Sequence, residues 1–140
     1  MPILQPDSQD PYVTEFRVEQ FVPPYFRGLS NSQPYNLLLG TGTVRADGST
    51  FPLSFNAGST NVQVGDIKIM LYHCGYVTHS LHMGHRMVQL DISSGFAPGS
   101  DAQNLVVTGP PNNNIAPPGP YWVYVVVGGI PAKGVAVQVV

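Results

Sequence analysis

Apolar and polar residues alternate along much of this chain with the two-residue period of half-buried strands, and no stretch carries a helical period. Residues 14–21 alternate cleanly, with Phe16 and Val18 set between polar neighbours and Pro23-Pro24 as a stop, which predicts an edge-type first strand. Runs 37–44 and 51–55 flank Arg45-Ala46-Asp47-Gly48-Ser49. Asp-Gly adopts the positive φ of tight turns, so a hairpin is expected there. Residues 66–72 and 76–80 read as one long or broken strand with Gly75 at the bend, followed by a strand over 86–92. Further strands are expected at 104–108, 121–127 and 134–140, separated by loops rich in Pro, Gly and Asn. Tyr121-Trp122-Val123-Tyr124-Val125-Val126-Val127 is nearly continuous in apolar character and suits a central strand, with Trp122 expected in the core. The whole pattern predicts an all-β fold, an immunoglobulin-like antiparallel β-sandwich of about seven to nine strands. Residues 14–140 are expected to form the sandwich and 1–13 an N-terminal extension.

Composition supports this reading. The chain has 140 residues, the size of one domain, with 15 glycines and 14 prolines that would interrupt helices. Only 10% of residues are charged and the formal net charge is −2, so the basic footprint of a nucleic-acid or anionic-membrane partner is missing, and neither is expected. Cys74 is the single cysteine, which excludes an intramolecular disulfide. The N-terminus has no basic region followed by an apolar run, so the expected location is cytoplasmic, or outside the cell by a non-classical route.

From Phe16 onward the chain resembles the C-terminal immunoglobulin-like domain of the galactose oxidase and glyoxal oxidase family of radical copper oxidases. The resemblance rests on four motifs in order. These are Val18-Glu19-Gln20-Phe21-Val22-Pro23-Pro24-Tyr25, Gly75-Tyr76-Val77-Thr78-His79-Ser80, Ile115-Ala116-Pro117-Pro118-Gly119-Pro120-Tyr121-Trp122 and Gly128-Gly129-Ile130-Pro131-Ala132. It implies that the domain packs on a β-propeller and sends one histidine, matching His79, to copper. It also implies that two tyrosines, a second histidine and the cysteine-linked radical tyrosine come from the propeller. A radical oxidase needs its metal beside those groups, so this chain is not expected to be an enzyme by itself. The sequence departs from the family beside the motif. His82-Met83-Gly84-His85-Arg86 stands where relatives read Asn-Met-Asp-Gln-Arg, and His73-Cys74 where they tend to have Arg-Pro.

All four histidines therefore fall between positions 73 and 85. Neutral imidazoles bind copper, zinc and nickel, so His79, His82 and His85, with His73 or Cys74 added, are candidate metal ligands and copper is the candidate cofactor. Residues three apart do not share a face of a straight strand, so the intervening turn must bring these rings together. The alternative is polar loop histidines bonded to backbone or water. Loop tyrosines and Asn112-Asn113-Asn114 are the residue types of a sugar site, which makes Tyr35, Tyr76, Asn112, Asn113 and Asn114 candidate carbohydrate contacts. A solvated turn explains the asparagines equally. The apolar C-terminal strand is expected to pair edge to edge into a homo-oligomer. Two functions stay open. One is a small carbohydrate-binding, lectin-like or defence-type module with glycan partners. The other is a copper or other metal-binding module, including the separated C-terminal domain of a radical copper oxidase. No paired carboxylates or nucleophile–base arrangement points to a hydrolase.

Overall fold

The computed structural model describes residues 17–24 and 33–140. Within them the chain is all-β. Its strands are β1 (Tyr35–Leu39), β2 (Thr43–Val44), β3 (Thr50–Asn56), β4 (Ile67–His73), β5 (Tyr76–Thr78), β6 (Leu81–Met83), β7 (Arg86–Leu90), β8 (Ile92–Ser94), β9 (Ala102–Thr108), β10 (Gly119–Val127), β11 (Ile130–Pro131) and β12 (Val135–Val139). One sheet has the order β1-β3-β9-β8, and the other runs β2-β12-β10-β4-β7 with β11 beside β10. Every pair is antiparallel except β12–β2. A separate two-stranded sheet, β5–β6, stands apart from both.

Alternation decides what each strand buries. Phe51, Leu53 and Phe55 of β3 and Leu105 and Val107 of β9 face Ile67, Ile69 and Leu71 of β4 and Tyr121, Val123, Val125 and Val127 of β10 in a single core. Each such side chain contributes roughly 1.5–3 kcal/mol on burial. The one buried polar side chain among the described residues, Gln103, is fully bonded. Its Nε2 donates to the carbonyls of Ala97 (2.9 Å) and Ser100 (2.7 Å), and its Oε1 accepts from the Ala97 N–H (3.0 Å). That arrangement locks the loop before β9.

Several strand expectations change once the strands pair. Residues 17–21 carry no strand, and Val18 and Phe21 are solvent-exposed; Phe16 and the rest of the expected first strand lie outside the described residues. Run 37–44 splits into β1 on one sheet and β2 on the other, so the Asp47-Gly48 turn, with Gly48 at φ 76°, carries the chain between sheets and closes no hairpin. Run 86–92 likewise divides at Asp91 into β7 and β8 on different sheets. The strand segments outnumber the expected set because runs 37–44, 66–80 and 86–92 each break in two and because β6 and β11 form where no strand was expected.

Trp122 is not core. Tyr121 and Val123 point inward, so their neighbour faces out, 39% exposed, between Tyr72 of β4 and Ala136 of β12. The outer face of the larger sheet thus carries Met70, Tyr72, Met87, Trp122, Tyr124 and Val126. Nor is the C-terminal strand free to pair with a second copy along its end. Gln138 and Val139 are opposite Thr43 and Val44, and the Ala46 N–H donates to the Val140 carbonyl at 2.9 Å.

Candidate functional site

Four histidines and the cysteine gather at one end of the sandwich, on and below the β5–β6 hairpin. The chain leaves β4 at His73, and Gly75 (φ 66°) turns it out of the sheet. A Cβ on Gly75 would lie 2.1 Å from the Met83 carbonyl oxygen and 2.6 Å from the His85 nitrogen, so the neck of the hairpin closes only around glycine. Above the neck, Tyr76, Val77 and Thr78 pair with Met83, His82 and Leu81.

A two-residue loop joins the two strands. His79 (φ 53°) and Ser80 (φ 61°) are both left-handed, the pattern of a type I′ turn that Asn and Gly normally fill. Each non-glycine residue in this region costs roughly 1–2 kcal/mol. Non-glycine strain of this kind concentrates where the chain must hold a functional side chain in one place. The turn puts His79 at the tip, where Thr78 Oγ1 lies 2.8 Å from its Nδ1. When Nδ1–H donates to that hydroxyl, Nε2 keeps its lone pair and faces outward as a ligand.

The other histidines have separate partners. His82 Nε2 donates to the Cys74 carbonyl, and its ring stacks on His85 with centroids 4.7 Å apart and planes 13° from parallel. His73 packs on Tyr121, centroids 5.0 Å apart. The Gly75 N–H (3.2 Å) and the Gly84 carbonyl (3.1 Å) both meet His73 Nδ1. The first contact forms when that nitrogen is unprotonated and the second when it carries a proton. The structure therefore brings His82 and His85 together, holds His73 at the base and places His79 alone at the tip. Among the described residues no three His, Cys, Asp or Glu side chains converge as a metal cluster.

Of the five candidate sugar contacts, Tyr76 and Asn112–Asn114 are at the hairpin end. Asn112 Oδ1 caps its own turn by accepting the N–H groups of Asn114 (3.0 Å) and Ile115 (3.2 Å), and Asn113 Nδ2 donates to the Ala116 carbonyl at 3.4 Å. Tyr35 is opposite Asn56, at the far end of β3, where its hydroxyl donates to Asp101 (3.1 Å). Seven residues of β3, about 20 Å, separate the two ends, so the five residues do not share one place. Asp101 also accepts from Asn56 Nδ2 and the Gly58 N–H, each at 2.7 Å. Those bonds, the Asn56 amide first, hold its carboxyl below the usual range, while the Tyr35 hydroxyl is pushed up by its own bond to Asp101 and by that carboxylate's charge.

Two contributors were not singled out from sequence. Thr78 orients the tip imidazole. Arg86, opposite His73 on β7, donates through Nη1 to the carbonyls of Asn114 and Ile115 (both 2.6 Å), tying the 112–116 loop to the hairpin base. Burial raises the Tyr121 pKa, with the Arg86 charge partly opposing it, and burial likewise raises Tyr124. Arg86 matches the family's Arg in the compared stretch, but its role could not be read from sequence because its acceptors are backbone atoms. The hairpin also exposes Tyr76, Val77 and Leu81, by 61%, 69% and 59%. Adjacent exposed apolar side chains mark an interaction surface.

Residues 36–139 match the family model described as Galactose oxidase-like, Early set domain. The chain is 30% identical over 130 residues to "Aldehyde oxidase GLOX1" of Arabidopsis thaliana and 32% identical over 130 residues to "Aldehyde oxidase GLOX" of Vitis pseudoreticulata. Each alignment takes in 92% of this chain but only 21% and 24% of those proteins, so the chain spans about a quarter or less of their length. An uncharacterized protein from Bacillus anthracis superposes with a TM-score of 0.49 at 15% identity over 89% of this chain, too distant a likeness to bear on function.

Proposed function

Because this chain belongs to the galactose oxidase-like early set domain family, we propose that it is the accessory domain of an aldehyde-oxidising copper oxidase of the glyoxal oxidase type. In this reading it presents His79 to a copper ion whose other ligands lie outside this segment. The single observation that carries the proposal is the tip of the hairpin. A strained two-residue turn displays one imidazole, its Nδ1 beside the Thr78 hydroxyl, at the end of an exposed apolar stalk. One neutral imidazole fits copper(II) as one ligand among several and cannot by itself hold the ion open for substrate. The copper centre would supply the electron-transfer chemistry. This chain's residues hold the ligand's tautomer through Thr78, fix its position through the Gly75 neck and cover the approach with Val77, Leu81 and Tyr76. Those apolar side chains support burial against a second surface, the propeller that the family architecture implies.

The test is a chimera of the grapevine relative in which this chain replaces the matching segment. Copper occupancy measured by electron paramagnetic resonance, and aldehyde oxidation, should both survive the exchange. Both should collapse in the His79→Ala chimera. Full copper loading in that variant would sink the proposal.

A further inference from the structure

The structure divides the histidine cluster, and the part not used at the tip has the features of a site of its own. His82 and His85 stack nearly parallel at the side of the hairpin, 4.7 Å between centroids. Both rings are solvent-exposed, so an ion could reach them directly. A carbonyl oxygen only accepts, so the contact between His82 Nε2 and the Cys74 carbonyl requires the proton to be on Nε2. Nδ1 of the neutral ring is then unprotonated. This is the support that metal-binding histidines typically have, one ring nitrogen donating to a backbone carbonyl so that the other is presented as the ligand. The His85 ring makes no hydrogen bond among the described residues and is free to turn toward a shared ion. Two imidazoles bound to one ion at about 2.0–2.1 Å bring their donor atoms about 3.3 Å apart with both in-plane lone pairs converging, so His85 must rotate out of the near-parallel stack to complete the site.

We propose that His82 and His85 form a second, surface transition-metal site of the zinc and copper(II) class, separate from the tip histidine. The absence of a carboxylate from the pair disfavours calcium and magnesium, which take oxygen ligands. On the hairpin, His82 is opposite Val77 and two residues from Ser80, so an ion held here sits beside the tip without using His79. The site does not depend on the oxidase reading, since it needs neither a propeller nor His79.

The experiment is a Zn(II) titration of the intact chain, followed by calorimetry and by histidine side-chain ¹H–¹⁵N correlation spectra. One equivalent should shift the ring nitrogens of His82 and His85 while those of His73 and His79 stay in place. Binding should weaken by at least about tenfold in His82→Ala and in His85→Ala, the loss that follows removal of even an outer partner at such sites. It should be unchanged in His79→Ala, and Mg(II) should compete poorly. Backbone spectra of each variant establish that the sandwich is intact. Zinc binding that follows His79, that survives both His82→Ala and His85→Ala, or that is not seen at all overturns the proposal. Copper loss in the His79→Ala chimera together with retained zinc binding here would show the two sites to be independent.

Discussion

The body of the sandwich and the β5–β6 hairpin are built on opposite principles. In the body, inward positions of β3, β4, β9 and β10 are almost fully buried and the one buried polar side chain among the described residues is bonded through both of its amide atoms. In the hairpin no residue is fully buried, two non-glycine residues are left-handed, and three apolar side chains face solvent. The body is paid for by burial; the hairpin is a load that the body carries. Stability and function should therefore separate under mutation.

The largest expected effect lies in the body. Leu71→Ala removes a side chain with no exposed surface and should cost about 2–5 kcal/mol, read as a lowered urea midpoint. The hairpin should melt with the body, because its neck is anchored on β4.

Gly75→Ala reverses the comparison. A Cβ 2.1 Å from the Met83 carbonyl, added to a positive φ, should open the neck at a cost of roughly 1–3 kcal/mol. Amide exchange should rise across residues 76–85 and stay slow in β3, β9 and β10. Uniform acceleration would mean that hairpin and body are one cooperative unit.

Ser80→Gly should have a smaller effect of opposite sign. Relieving one left-handed residue should stabilise the hairpin by up to about 1 kcal/mol, seen as slower exchange at Val77 and His82. If exchange is unchanged, the turn stores no strain.

The smallest effect is electrostatic and belongs to the body alone. Asp101 has its folded pKa depressed by Asn56 and by the backbone of Gly58 and Ser59. Asp47 is lowered to about 2, by the Ser49 side chain first and then by Arg45, whose Nε is 2.8 Å from its carboxylate. A carboxyl with a depressed folded pKa contributes stability that is present above its unfolded value, near pH 4. That contribution is lost as pH falls through the folded value. Melting temperature should accordingly decline from about pH 4 toward pH 2, and Asp101→Asn should flatten part of that decline.

How much of this could be read in advance depends on the range of the interactions. The two-residue period of β3, β4, β9 and β10 is local, and it determined the all-β class and most of the core. The motif around Thr78-His79-Ser80 is also local, and with its neighbours it identified the family now matched over residues 36–139. Trp122 was misassigned because a continuous apolar run does not say which parity faces inward. Cross-strand pairing with Tyr72 and Ala136 decides that. The sheet changes at residues 40–42 and at Asp91 were hidden for a related reason, since either half of a run can pair with whichever strand lies beside it.

The candidate site divides along the same line. Sequence by itself placed every histidine in one short stretch and marked His79 by its motif. Only the tertiary structure separated His79 from the His82–His85 pair, put Tyr35 at the far end from Asn112–Asn114, and made Gly75 indispensable at the neck. Composition and period are properties of neighbours along the chain. Which ring faces which, and whose proton goes to which carbonyl, is set by contacts between residues that the turn brings back upon themselves.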